Sequence, residues 1–244
     1  MSSNDAIVNE RARRAQAWAD LVRRGGPLGV PPKLLRELSI YGGAQGIWVE
    51  KTLTRSLTPG GTGITVGILH TGSSYADDLS ADGVLYHYPQ TGRGDARDLA
   101  EIDATKEAKR QQLPIFVITY PNPHAAVRDV RLGWVEDWDD VARIFLISFG
   151  DQPPSQQPEL GESSAFQLVT GRRTRRREIE AREGQPRFKF RVLARYGPRC
   201  AVCDFDITTV LDAAHLCPDS EGLRTQRGFR ALEGVTQASS RQVF

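Results

Sequence analysis

Apolar residues Val8, Ala12, Ala15, Trp18, Ala19 and Val22 recur at helical spacing across residues 5–24, and Gly25-Gly26-Pro27 follows them. This pattern predicts an amphipathic helix that stops at the Gly-Gly-Pro. Pro32 then falls in the first turn of a second, short helix predicted over 31–38, where a proline forfeits no intrahelical hydrogen bond. From Gly46 the periodicity changes. The runs GIWVEKTL, ITVGILHT, GVLYHYP, LPIFVITY and ARIFLISFG are short, rich in β-branched and aromatic residues, and separated by Gly or Pro, so each is predicted as a strand. Between the third and fourth runs, residues 96–112 are rich in Ala, Glu, Lys and Arg and predict a helix. Helix, strands, helix and strands in that order predict an α+β fold with a closed or strongly curved sheet flanked by helices.

A chain of 244 residues has room for two domains of ordinary size. Residues 151–164 (DQPPSQQPELGESS) have little with which to build a core and read as a linker between 1–150 and 165–244. No run of apolar residues is long enough to span a bilayer, and the polar N-terminal stretch carries no secretory signal. Two of the three cysteines share one Cys-x-x-Cys, which argues for a reducing compartment and hence for the cytoplasm. The net charge of +2 hides an asymmetry: residues 1–164 hold 17 Lys and Arg against 21 Asp and Glu, and residues 165–244 hold 15 against 9. A basic C-terminal part beside a slightly acidic N-terminal part suits a DNA-contacting module joined to a reader with a localised binding face.

The chemistry concentrates between Ile68 and Gly94. Tyr75 and Tyr88 bracket Asp78, and such a set can hold a base taken out of its duplex, the rings stacking on its faces and the acid reading its edge. A carboxylate only accepts hydrogen bonds, so it suits the exocyclic amine of cytosine. Trp48, on the preceding strand-like run, is a candidate wall for such a pocket, with core packing as its alternative. Two other readings of these residues stand beside this one. Tyr75 and Tyr88 serve equally as packing residues with a solvated Asp-Asp turn between them, and Asp77, Asp78 and Asp82 could form an acidic metal site.

The stretch ILHTGSSYADDLSADGVLYHYPQTGRG resembles the centre of the SRA domain, the modified-cytosine reader of chromatin proteins and bacterial restriction enzymes. In that family Gly-Gly-Tyr-x-Asp-Asp is followed about ten residues later by Tyr-Thr-Gly-x-Gly-Gly. The resemblance implies a PUA-like barrel in which Tyr75 and Tyr88 stack on the base and Asp78 reads it. Here Ser73-Ser74 replace Gly-Gly, Pro89-Gln90 precede Thr91-Gly92, and the turn around Ser80-Ala81-Asp82 carries one additional residue.

In the C-terminal part, the basic run Arg172, Arg173, Arg175, Arg176 and Arg177 is a candidate phosphate-contacting segment, with a solvated helix face as the alternative. The segment RYGPRCAVC followed by LDAAH resembles the front half of an HNH endonuclease. The resemblance implies His215 as general base, Asp212 as a ligand for magnesium or manganese, and Cys200 with Cys203 as half of a structural zinc site. After His215 the chain holds no further histidine and no asparagine, so the small ββα module is expected to be incomplete and inactive alone. The combined expectation is the reader of a modification-dependent restriction endonuclease, binding double-stranded DNA that carries 5-methylcytosine or 5-hydroxymethylcytosine. It expects no membrane partner and admits a homodimer. The alternative is an RNA- or nucleotide-binding PUA-like module with a vestigial zinc knuckle.

Overall fold

The computed structural model describes residues 3–71, 78–90, 95–154 and 184–200, together with 206, 211 and 213. Helix α1 spans Ser3–Arg23, α2 Pro32–Glu37, α3 Lys51–Thr54, α4 Asp95–Arg110 and α5 Gln185–Tyr196. The strands are β1 Gly46–Val49, β2 Thr65–His70, β3 Gly83–His87, β4 Ile115–Thr119, β5 Asp129–Asp139 and β6 Ile144–Phe149. They form a curled, half-barrel sheet in the order β1-β2-β4-β5-β6-β3, within a mixed α+β architecture. Among the described strands only β2 and β4 run parallel, and the other neighbouring pairs are antiparallel.

Three apolar clusters hold the layers together. Ile68, Val84, Val117, Phe145 and Ile147 on one face of the sheet pack with Ile102 and Ala108 of α4. On the opposite face, Leu69, Phe116 and Ile118 pack with Leu21 of α1 and with Leu34 and Leu35 of α2. Further along that same face, Leu85, Ile144 and Leu146 of β3 and β6 receive Phe190 and Leu193 of α5. Helix α5, in the basic C-terminal region, is therefore docked on the sheet. Gly83 is required where β3 meets β6, because a Cβ there would stand 2.6 Å from the Ile147 carbonyl oxygen.

Several expectations from the sequence are corrected. Helix α1 buries Ile7, Glu10, Arg14, Ala17 and Leu21, whereas Val8 and Val22 are 54% and 46% exposed. The inward face thus carries an ion pair. Arg14 lies fully buried, donating to Glu10 Oε1 at 2.7 Å and to the carbonyls of Thr65 and Pro114 at 2.8 and 2.7 Å. Its guanidinium serves carbonyls at the start of β2 and just before β4, which allows two charged positions to face inward. Burial pulls the Arg14 guanidinium down to about 10, with Glu10 opposing, so it stays charged at neutral pH. The run GIWVEKTL is a strand only as far as Val49, and then turns into α3. Strand β5 was not anticipated at all. A bulge between Val135 and Asp137 breaks its alternation and turns Glu136 toward α5, where it binds Arg187.

Candidate functional site

Strand β3 decides the geometry, because successive side chains on a strand leave opposite faces. Val84 and Tyr88 (just past the strand end, where the Tyr88 amide bonds the Arg143 carbonyl at 2.8 Å) belong to the cluster under α4. Leu85 belongs to the α5 side, and His87 follows it in parity. Asp78, just before β3, pairs with His87 and with Lys189 of α5 and therefore lies on that side too.

The Asp78 carboxylate is 2% exposed, and both of its oxygens are engaged. Oδ1 accepts from Lys189 Nζ at 2.9 Å, and Oδ2 accepts from His87 Nε2 at 2.8 Å. Burial alone would raise its pKa. The hydrogen bond from His87 and the charge of Lys189 outweigh burial and hold the carboxyl below its ordinary range. His70, at the end of β2, is 6% exposed, and its Nδ1 has no hydrogen-bond partner among the described residues. Burial holds His70 below its ordinary pKa against the nearby charge of Asp78, so the ring is neutral at neutral pH. The result is an ionised, water-excluded acceptor beside two imidazoles, closed by an ammonium group.

Tyr88 is placed quite differently. It is 6% exposed, with its ring centroid 4.5 Å from that of Phe145 at an interplanar angle of 37°. Its hydroxyl donates to Asp140 Oδ1 at 2.8 Å, an oxygen that also receives Lys106 Nζ at 2.6 Å. Burial and the Asp140 hydrogen bond push its phenol pKa well up. The structure therefore does not bring Tyr88 and Asp78 to one face. Trp48 packs in neither the cluster that holds Tyr88 nor the one under α5. Trp48 is half-buried in the α1–α2 cluster against Tyr41, at a ring-centroid distance of 6.3 Å, while its neighbour Ile47 points to the cluster that holds Tyr88. In the fold Trp48 takes the core-packing role.

The remaining candidates are mostly not placed. Tyr75, Asp77, Arg172, Arg173, Arg175, Arg176, Arg177, Cys203, Asp212 and His215 lie outside the described residues. Cys200 is described and is 4% exposed among Leu85, Ile144, Phe190, Leu193 and Leu211. Among the described residues no group of three His, Cys, Asp or Glu side chains is placed to hold a metal ion. Asp82, of the acidic trio, instead accepts from Ser80 Oγ at 2.5 Å and from the Gly184 amide at 2.9 Å.

Lys189, His87 and His70 were missed by reasoning from the sequence. Strand parity alone places His87 and Tyr88 on opposite faces. For Lys189, a single lysine between Phe188 and Phe190, no local pattern announces a buried partner 111 residues away.

Comparison with protein-family models, with curated proteins and with solved structures found no match to this chain. Among the described residues no helix is long and apolar enough to cross a membrane.

Proposed function

We propose that the chain reads a modified cytosine lifted out of double-stranded DNA, as the recognition part of a modification-dependent restriction endonuclease of the SRA–HNH kind. The observation that carries this reading is Asp78, a carboxylate 2% exposed yet held in its ionised form, at the entrance to β3 in a curled sheet. A buried anion has to be matched by donors. The donor now on Oδ1 is an N–H group from a side chain, the same chemistry that the exocyclic amine of cytosine would present. In this reading the curled sheet is a PUA-like half-barrel, Asp78 takes the base edge, and Tyr75 supplies the stacking face. Tyr88 contributes from the core, shaping β3 through Phe145 and Asp140. The arginines at 172, 173, 175, 176 and 177 add phosphate contact without sequence preference.

The nuclease half of the proposal rests on Asp212 and His215, with magnesium or manganese, and on the Cys200–Cys203 pair for zinc. Cys200, the one member of that set among the described residues, sits in an aliphatic and aromatic cluster, and among the described residues no ligand set surrounds it, so no step is assigned to a metal.

The test is the affinity for one duplex with and without 5-methylcytosine at fixed salt, for the wild-type chain and for Asp78→Ala. Cytosine and 5-methylcytosine share their stacking face and amine edge, so the preference rests on the C5 methyl, and one such group in a fitted apolar pocket is worth about 1–3 kcal/mol, roughly tenfold or more. Asp78→Ala should abolish that preference. Equal affinity of the wild-type chain for both duplexes contradicts the reading, and tighter binding to single-stranded RNA favours an RNA-binding module instead.

A further inference from the structure

Helix α5 docks on the sheet through polar contacts as well as apolar ones. The Gly184 amide donates to Asp82 Oδ2 at 2.9 Å, Arg187 grips Glu136 from two nitrogens at 2.6 and 2.9 Å, and Glu136 is also bonded by Ser148. Phe190 and Leu193 fill the apolar patch between β3 and β6. Most of this needs only an ordinary surface helix. The exception is Lys189, whose side chain is 8% exposed and whose ammonium reaches the one acid the proposed function depends on.

Each oxygen of Asp78 could accept a second hydrogen bond, but the acid is only 2% exposed and Lys189 lies against Oδ1, so a base edge can reach it only by displacing what covers it. His87 belongs to β3 itself and is fixed by its pairing with Ile144. Lys189 comes from a separate helix at the start of the basic C-terminal region. A lysine expelled from its acid cannot keep its charge in an apolar seat, so it must leave toward water and take part of α5 with it.

Resting on the reading above, we propose that Lys189 is an internal occupant of the base-reading acid. Engagement of a modified cytosine at Asp78 expels it, and α5 is loosened from the sheet as the base goes in. The contact keeps the reader closed until a base engages the acid, and couples recognition to the C-terminal region. In such a closed state the apparent affinity is reduced by the fraction of molecules that are open, so removing the occupant strengthens binding by the inverse of that fraction.

The experiment is a lysine-acylation footprint, read by mass spectrometry on the wild-type chain alone, with a 5-methylcytosine duplex and with the unmethylated duplex. Lys33, 86% exposed, is the internal reference. Lys189 should be protected in the free chain and with unmethylated DNA, and should become reactive at least tenfold faster with the methylated duplex. In parallel, Lys189→Met should bind the methylated duplex about tenfold tighter than wild type if about a tenth of wild-type molecules are open. If the methylated duplex is preferred yet Lys189 stays protected and Lys189→Met binds no tighter, the occupant role is overturned while the reader stands. If neither chain distinguishes the duplexes, the reader itself fails and this inference with it. The wild-type footprint decides the matter where Lys189→Met does not fold.

Discussion

Replacing Tyr88 separates a core residue from a stacking platform more sharply than any other change. Its ring lies 4.5 Å from Phe145 in the cluster under α4, and its hydroxyl meets Asp140. Truncating a buried aromatic to alanine costs about 3–5 kcal/mol, of which the ring pair itself supplies about 0.5–1.5 kcal/mol. Against a total stability of about 5–15 kcal/mol for a domain, Tyr88→Ala should be marginally folded. Tyr88→Phe keeps the ring and gives up one hydrogen bond to Asp140, which is 61% exposed and retains Lys106, so the loss should not exceed about 1 kcal/mol. Urea unfolding followed by tryptophan fluorescence measures both, and duplex binding by Tyr88→Phe should match wild type. If Tyr88→Ala unfolds within about 1 kcal/mol of wild type while losing methylated-duplex affinity, the ring belongs to a pocket and the core assignment is refuted.

Two further changes test the frame around the site. Arg14→Met leaves Glu10 with Arg13 as its remaining partner and strips two buried carbonyls of their donor, so urea unfolding should show a loss of about 2–4 kcal/mol, and a loss under about 1 kcal/mol would show the clamp to be dispensable. Stability should also fall in two acid steps. His70 is held below its ordinary 6.5, so its contribution is complete above that pH and is lost as pH falls beneath it; Asp78 is held below 3.8, so its contribution persists to lower pH and disappears as the folded-state pKa is crossed. Unfolding curves from pH 8 to 3 check the order, and His70→Asn should remove the first step alone.

Much of the scaffold was legible because its signals are local. Gly-Gly-Pro after α1, Pro32 in α2 and the apolar runs of β2, β4 and β6 each state their structure within a few residues. Strand β5 was not, because Asp129, Arg131, Glu136 and Asp137 interrupt its apolar positions and the bulge shifts its period halfway along. The inward face of α1 misled for a related reason. Glu10 and Arg14 read as polar, yet each cancels the other's charge and Arg14 also serves two carbonyls. At the site, Asp78 was picked out from the sequence, but the partners that keep it ionised were not, since Lys189 reaches it only through the docking of α5. The Tyr88 pairing with Asp78 failed on parity: His87, not Tyr88, shares the acid's face of β3.

The central claim is that a modified cytosine leaves the duplex to meet Asp78. A duplex carrying 2-aminopurine next to a single 5-methylcytosine reports this directly, because 2-aminopurine brightens when its neighbour unstacks. Titration with the wild-type chain should raise the fluorescence on the methylated duplex, leave the unmethylated one dark, and give no rise with Asp78→Ala. A methylated duplex that binds at saturation with no rise in fluorescence would contradict the account.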